Sequence, residues 1–463
     1  MDNFKYQLLK FISFFCFALI FCSCGPSSAA SRTASPTSSN NHTTPTTSVT
    51  STPAPTVPTQ TDCPPDQTAR AALMPSIRLG THPNIFFATQ SNTELVFNRY
   101  DVTTGQTTQV FSLPETMQHP SPPFARLSND GQWIIFQGVV GTQSAIQMVR
   151  VDGQEFQTLY CGGVDSFLLS PDQKTLAFNL SSGNYDLEML DMVSGKLQTD
   201  YIASRDGSYA FAYYRPLKWQ TNTSLFVMKE LDGRGGSFDF SFRYNYGIFL
   251  VQDTTLDSNA QSTNLESLLI PQSSSSSSSG YCPDFDINQD QILTNDCTGG
   301  SGAAPGSAAL KGPSTIQIQT LAGNASTIYN DSNNAIMYAR FISDTKILFC
   351  TQNLTSSRVT QMRTSQNVGL WEINTDGTGL TQIAAFPDNS ELSFTLPAYT
   401  PSYIVSRDGS QYLVTVSSYS SHTMGLFFGK LQGTEASPVP GTNQYIEATG
   451  ANPYTAAIGW STF

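Results

Sequence analysis

The sequence predicts an all-β chain built from repeated four-stranded antiparallel units, set behind an apolar leader and an unfolded linker. Three observations lead there. The chain is rich in turn formers and aromatics, with 33 Gly, 26 Pro, 29 Phe and 19 Tyr. Gly and Pro punctuate, and aromatics suit pleated surfaces, so short strands are favoured over long helices. From about residue 84 short alternating apolar segments are separated by turn residues, and two turn signatures recur in order at equal spacing. Hydrophobic residues make up 39% of the chain and charged residues only 13%, which leaves ample material for folded cores. With 23 Lys+Arg against 35 Asp+Glu, the formal charge is -12. No polyanion-neutralising surface is expected, so nucleic acid is excluded as a partner; neutral or cationic partners fit better.

At the N-terminus Lys5 and Lys10 precede an apolar run from Phe11 to Phe21. About eleven residues is the length of a secretory h-region and too short to span roughly 30 Å of hydrocarbon. The run closes in Phe21-Cys22-Ser23-Cys24-Gly25, which resembles the lipobox of bacterial lipoproteins, with Phe21 where Leu is usual. The resemblance implies a signal peptide over residues 1–23, cleavage before Cys24, and a diacylglyceryl group on the Cys24 thiol. Cys22 is a weaker candidate, because Phe21 ahead of it is bulky. Two or three acyl chains would hold the protein stably, since each buried methylene adds roughly 0.8 kcal/mol. The expected location is the cell membrane, lipid-anchored and facing away from the cytoplasm.

Residues 24–62 are the lipidated Cys and its linker. Between 26 and 62, 25 of 37 residues are Ser, Thr or Pro, too little apolar surface to fold. Extended as polyproline II at about 3.1 Å per residue, the stretch reaches roughly 115 Å, enough to hold a domain clear of a lipid surface. A glycosylated stalk would act in the same way.

Residues 63–463 carry the repeat. The first signature is an apolar residue, then Ser-x-Asp followed by Gly or Gln, then a strand: Leu127-Ser128-Asn129-Asp130-Gly131, Leu169-Ser170-Pro171-Asp172-Gln173 and Val405-Ser406-Arg407-Asp408-Gly409, with a shortened copy at Ile342-Ser343-Asp344. The second is a strand ending in a hairpin turn, at Thr104-Gly105, Asp152-Gly153, Ser194-Gly195 and Asp376-Gly377. Ser128 to Ser170 is 42 residues, and Gly131 to Gly153 equals Gln173 to Gly195 at 22. Two hairpins per period describe a four-stranded unit that cannot cover its own faces and must pack on copies of itself. The alternation resembles the WD-like repeats of TolB-type β-propellers, most closely at Leu169 to Phe178, and less so over residues 210–335. The resemblance implies a β-propeller. Units near 85–111, 124–160, 164–200, 209–256, 280–328, 335–385 and 400–435 give about seven blades, with six or eight also compatible. The first unit lacks a Ser-x-Asp-Gly strand, whereas Ala457 to Phe463 reads as an opening strand with nothing after it. The C-terminal strand is therefore expected to complete the first blade, protecting the sheet edges. Envelope-complex partners are a further implication of the TolB likeness.

Five cysteines remain after Cys16, Cys22 and Cys24. Cys282 and Cys297 flank a hairpin centred on Gln289-Asp290 and are expected to face each other as a disulfide, because opposed Cα atoms lie about 4.5–5.5 Å apart. Cys63 with Cys161 is a second candidate pair that would pin the linker's end to the ring. Cys350, in Ile347-Leu348-Phe349-Cys350, reads as a buried small hydrophobe.

Motifs for chemistry are sparse. Asp284, Asp286, Asn288 and Asp290 alternate like calcium ligands, but Gln289 stands where a calcium loop has Gly and Asn295 where it has Glu, so a strand-turn-strand explains the run better. The four histidines, His42, His82, His119 and His422, supply neither a His-rich zinc site nor a His-Glu-x-x-His helix. No Gly-x-Ser-x-Gly elbow, P-loop or Cys-x-x-Cys occurs. Asp130, Asp172, Asp408, Asp152 and Asp376 have turn roles, and Trp133, Trp219, Trp371 and Trp460 read as packing residues. No metal, cofactor or catalytic residue is expected. The reading is a monomeric binding module for a protein, peptide or glycan. A carbohydrate-active enzyme using two carboxylates about 5–10 Å apart is the alternative.

Overall fold

The computed structural model describes residues 62–91, 94–114, 125–180, 186–201, 211–232, 247–251, 265–268, 285–295, 315–322, 324–331, 335–352, 369–386, 390–393, 404–418, 423–445 and 454–463. Cys24, the linker to residue 61, Cys282 and Cys297 lie outside them, as do His42, His119, His422 and Asp284.

Twenty-nine strands and no helix occur among the described residues. β1 (Asn84–Gln90), β2 (Glu94–Asp101) and β3 (Gln106–Pro114) belong to the first sheet. The second holds β4 (Ala125–Leu127), β5 (Trp133–Val140), β6 (Gln143–Arg150) and β7 (Gln157–Cys161), and the third β8 (Val164–Leu169), β9 (Thr175–Leu180), β10 (Leu187–Asp191) and β11 (Leu197–Tyr201). The fourth is β12 (Phe211–Trp219), β13 (Leu225–Asp232), β14 (Gly247–Val251) and β15 (Leu265–Leu268). The fifth is β16 (Phe285–Asn288), β17 (Gln291–Asn295), β18 (Thr315–Thr320) and β19 (Ala325–Asn330). The sixth is β20 (Ala335–Ser343), β21 (Lys346–Gln352), β22 (Gly369–Asn374) and β23 (Thr381–Ala385). The seventh is β24 (Ser390–Ser393), β25 (Gln411–Ser418), β26 (Thr423–Lys430) and β27 (Ala436–Pro438), with β28 (Gln444–Tyr445) beside β26. β29 (Tyr454–Ser461) returns to the first sheet and pairs antiparallel with β1, Ile85 opposite Trp460 and Gln90 opposite Tyr454.

Two expected unit boundaries fall short. The fourth sheet ends at Leu268 rather than near 256, and the seventh opens at Ser390 rather than near 400. In the fourth unit the short strand lies beyond a polar stretch that reads as loop, and in the seventh it lies ahead of a Pro-containing segment, so periodicity alone passes over both.

Packing explains why apolar residues run on without the usual polar alternation. In β5, Trp133 and Ile135 enter a core shared with β8 to β10 of the third sheet, whereas Ile134 and Phe136 enter one shared with the first. β1 divides likewise: Phe86 and Ala88 face the second sheet, Ile85 and Phe87 the seventh. In β21, Ile347 and Phe349 pack with the fifth sheet, and Leu348 and Cys350 with the seventh. Successive side chains point to opposite faces, so a strand buried on both sides must be apolar throughout. Cys350 is fully buried in that role.

The segment before β1 straps two sheets together. Cys63 is disulfide-bonded to Cys161 at the end of β7, with Cα atoms 5.6 Å apart. Ala69 then bridges Tyr160, Arg70 N–H donates to Leu159 O, and Ala72 N–H to Met192 O beyond β10. Leu73 exchanges two hydrogen bonds with the Gln157 carboxamide, and Ile77 N–H donates to Gln132 Oε1. The strap thus covers the outer edge of the second sheet, where unpaired backbone groups would invite foreign strands. The disulfide closes a separation of 98 residues; disulfides typically contribute about 2–4 kcal/mol, and chain entropy alone gives about 4.7 kcal/mol for a loop of about 100 residues.

Trp460 is only 3% exposed in the core between the first and seventh sheets. Trp460→Ala is expected to destabilise the protein by about 3–5 kcal/mol, read from urea unfolding; a loss under about 1 kcal/mol would show that this seam carries little weight.

Candidate functional site

The Ser-x-Asp turns are built alike, and they gather at one end of the sheets. In each, the Ser hydroxyl donates to the Asp two residues on: Ser128 to Asp130 at 2.5 Å, Ser170 to Asp172 at 2.8 Å, Ser406 to Asp408 at 2.5 Å. The same hydroxyl oxygen accepts the N–H five residues on, from Trp133, Thr175 and Gln411. The carboxylate accepts a backbone N–H of its own turn, from Gln132, Lys174 and Ser410. One residue per turn must adopt positive φ: Gly131 at 70°, Gly409 at 68°, and Gln173 at 62°. Glycine meets this without Cβ strain and glutamine does not. The shortened copy keeps only a fragment, with Thr345 N–H donating to Ser343 Oγ at 3.3 Å.

Bonds between turns carry the pattern from sheet to sheet. Ser461 Oγ of β29 donates to Gly131 O, and Asn129 Nδ2 to Ser170 O at 2.9 Å. Trp219 Nε1 donates to Leu168 O at 3.1 Å, Gln220 Nε2 to Gln289 O at 3.3 Å, and Asn288 Nδ2 to Asp344 Oδ1 at 3.0 Å. Lys218 Nζ donates to Ile287 O. Arg407 reaches from the seventh sheet to donate to Asn129 O on the second. It passes over Gly131, where a Cβ would lie 3.1 Å from the guanidinium carbon. The first sheet has no such turn, because its β29 and β1 are opposite ends of the chain, and the Arg407 side chain bridges that place.

These turns surround a cavity of about 420 Å³ with contributions from six sheets. Leu168, Leu169, Trp219, Phe341, Ile342 and Val405 supply apolar wall; Asn129, Lys218, Asn288, Ser343, Ser406 and Arg407 supply polar groups. Such a mixture of apolar lining and few convergent polar groups is typical of ligand sites. Three lining residues, Asn129, Pro171 and Arg407, occupy the x of Ser-x-Asp. That variable place inside a constant turn was the signal available in the sequence, whereas Lys218, on the poorly repeating β12, had none.

The acids singled out from the sequence are engaged. Asp130, Asp172 and Asp408 serve their turns as above. Asp152 pairs with Arg150 at 2.8 Å, and Asp376 accepts Thr378 N–H at 2.9 Å. In the alternating run, Asp286 is 3% exposed and accepts N–H from Ile287 and Phe341, both at 2.8 Å, with Lys218 Nζ 3.8 Å away. Its neighbour Asn288 is turned to Asp344, so the described members of the run look to separate neighbours. Trp133, Trp219 and Trp460 are buried, and Trp371 donates to Thr351 Oγ1 at 2.9 Å.

No protein-family model matches the chain, and no curated protein matches it in sequence. Among solved structures, an oligogalacturonate lyase in complex with manganese superposes with a TM-score of 0.52 at 11% identity, over 82% of this chain and 98% of the lyase. The β-propeller domain of the Trilobed protease from Pyrococcus furiosus gives 0.48 at 11% identity, over 79% and 99%. TolB from Acinetobacter baumannii gives 0.35 at 15% identity, over 64% and 61%. At these identities the likeness is one of fold: the chain is an all-β protein of four-stranded antiparallel sheets, of the β-propeller type.

Hydrogen bonds from the Ser406 and Ser410 hydroxyls hold the Asp408 carboxyl below the usual carboxylate range. A depressed folded value contributes stability above the unfolded value near 3.9 and loses it as pH falls through the folded one. Asp408→Asn is therefore expected to lower the melting temperature at pH 7, with the gap to wild type shrinking below about pH 4. A gap constant with pH would show that the carboxylate's charge plays no part.

Proposed function

We propose that this protein is a lipoprotein, acylated at Cys24 and displayed on the outer side of a membrane at the end of the Ser/Thr/Pro linker. Its seven-bladed β-propeller, closed by β29, acts as a monomeric binding module for a protein, peptide or glycan. The observation that carries the binding role is the cavity of about 420 Å³ at the ring mouth, whose lining comes from six sheets joined by hydrogen bonds. A site assembled from rigid turns is pre-organised, which reduces the ordering cost of association. The Cys63–Cys161 disulfide supports a compartment outside the reducing cytoplasm.

A second bridge belongs to the same proposal. In the β16–β17 hairpin Phe285 is opposite Thr294 and Asn288 opposite Gln291. Carried on in that register, the pairing sets Cys282 against Cys297, and a disulfide there would close the hairpin's open end.

Metabolic labelling with an acyl analogue is expected to mark the wild type and miss Cys24→Ser; equal labelling of both would refute the anchor. Non-reducing peptide mapping of the same material should recover Cys282 and Cys297 in one linked peptide, and alkylation of both would refute the bridge. For the binding role, the chain is expected to retain members of peptide, protein and glycan panels without converting them. Turnover of an oligosaccharide would favour the carboxylate-based enzyme instead.

A further inference from the structure

We propose that the ring mouth recognises the terminal carboxylate of a peptide ending in an apolar residue. The inference rests on the binding-module reading and adds the ligand's chemistry. Charge is the first argument. The chain has 35 acidic against 23 basic residues, yet the described residues lining the cavity include Lys218 and Arg407 and no carboxylate. A guanidinium and an ammonium set over apolar wall suit a carboxylate, because charge-assisted hydrogen bonds strengthen where water is reduced.

Both cations are positioned. Lys218 donates one of its three N–H groups to Ile287 O, and its ammonium is ion-paired with Asp286 at 3.8 Å. Arg407 lies over Gly131 and donates one N–H to Asn129 O, out of five on its fork. The acids around them are already engaged. Asp286 sits behind Lys218 and accepts two backbone N–H groups; Asp344 accepts from Asn288; Asp130 and Asp408 accept the hydroxyls and N–H groups of their own turns. Arg407 is exposed at the mouth, and partial burial of its guanidinium lowers its pKa against the attraction of Asp130.

The walls choose among anions. Leu168, Leu169, Ile342 and Val405 are aliphatic, and Trp219 is 7% exposed with its Nε1 committed to Leu168 O. A sugar acid would set some of its hydroxyls against these aliphatic walls, where they find no partner, which is unfavourable. A peptide end places its carboxylate on the cations and its last side chain on the wall. A volume of about 420 Å³ is at the small end of ligand pockets, which run from about 300 to 1,000 Å³, and suits a chain end better than a folded surface.

The test is calorimetry on the full chain in detergent with three probes: the peptide Ala-Ala-Ala-Leu as free acid, the same peptide as C-terminal amide, and trigalacturonic acid. The free acid is expected to bind, with the amide weaker by about tenfold or more and affinity falling with added salt. Arg407→Gln should weaken the free acid by about tenfold, and Arg407→Lys should recover part of it. If Arg407→Gln melts early, the acid and amide are compared on wild type, which decides the matter alone. Equal binding of acid and amide, preference for trigalacturonate, or no binding of the acid overturns the carboxylate assignment. The module reading would survive any of these and falls only if the peptide, protein and glycan panels also fail.

Discussion

The structure depends on a sheet of four short strands having two apolar faces and no means of covering either. Trp133 and Ile135 on one side of β5, and Ile134 and Phe136 on the other, need a neighbouring sheet on each side. Fully burying each such side chain is worth about 1.5–3 kcal/mol, far more than any single turn contact. Sheets with this property must pack against further sheets on both sides. The core of Ile85, Leu413, Leu426 and Trp460 joins the first sheet to the seventh in this way.

Stacking settles which sheets touch, and the polar turns settle how they are aligned. Each Ser hydroxyl gives and accepts within its own turn, so the turn backbone is fixed before it meets a neighbour. Rigid turns can then exchange single bonds across the gaps, such as Asn129 to Ser170 O and Arg407 to Asn129 O. The variable residue of each turn is left directed at the mouth. Constancy of scaffold and variety of cavity lining thus share a five-residue stretch.

Much of this architecture was legible because Ser128, Ser170 and Ser406 perform a local task that demands the same residues each time. The period followed from those residues, and β29 lies beside β1 in the first sheet. What escaped had no local signature. β15 pairs with β14 and β24 with β25, each as a short strand of four residues. Lys218 reaches the cavity from β12, whose partner β13 ends in the irregular sequence of the fourth unit. Arg407 stands at the unspecified place of its turn, and its partner, Asn129 O, lies more than 270 residues away in the chain.

The crosslink at Cys63 has a mechanical consequence. Cys161 ends β7, and strands alternate in direction, so the attachment lies at the end of the second sheet remote from the Ser-x-Asp turns. A pull arriving from the N-terminal side is delivered to β7 through a covalent bond and spread by its ladder with β6. Ala69 to Gly80, and the seam between β1 and β29 beyond them, stay out of the load path. Tension applied there leaves the pairing of β1 with β29 unloaded, and the Ser-x-Asp turns lie away from the point of strain.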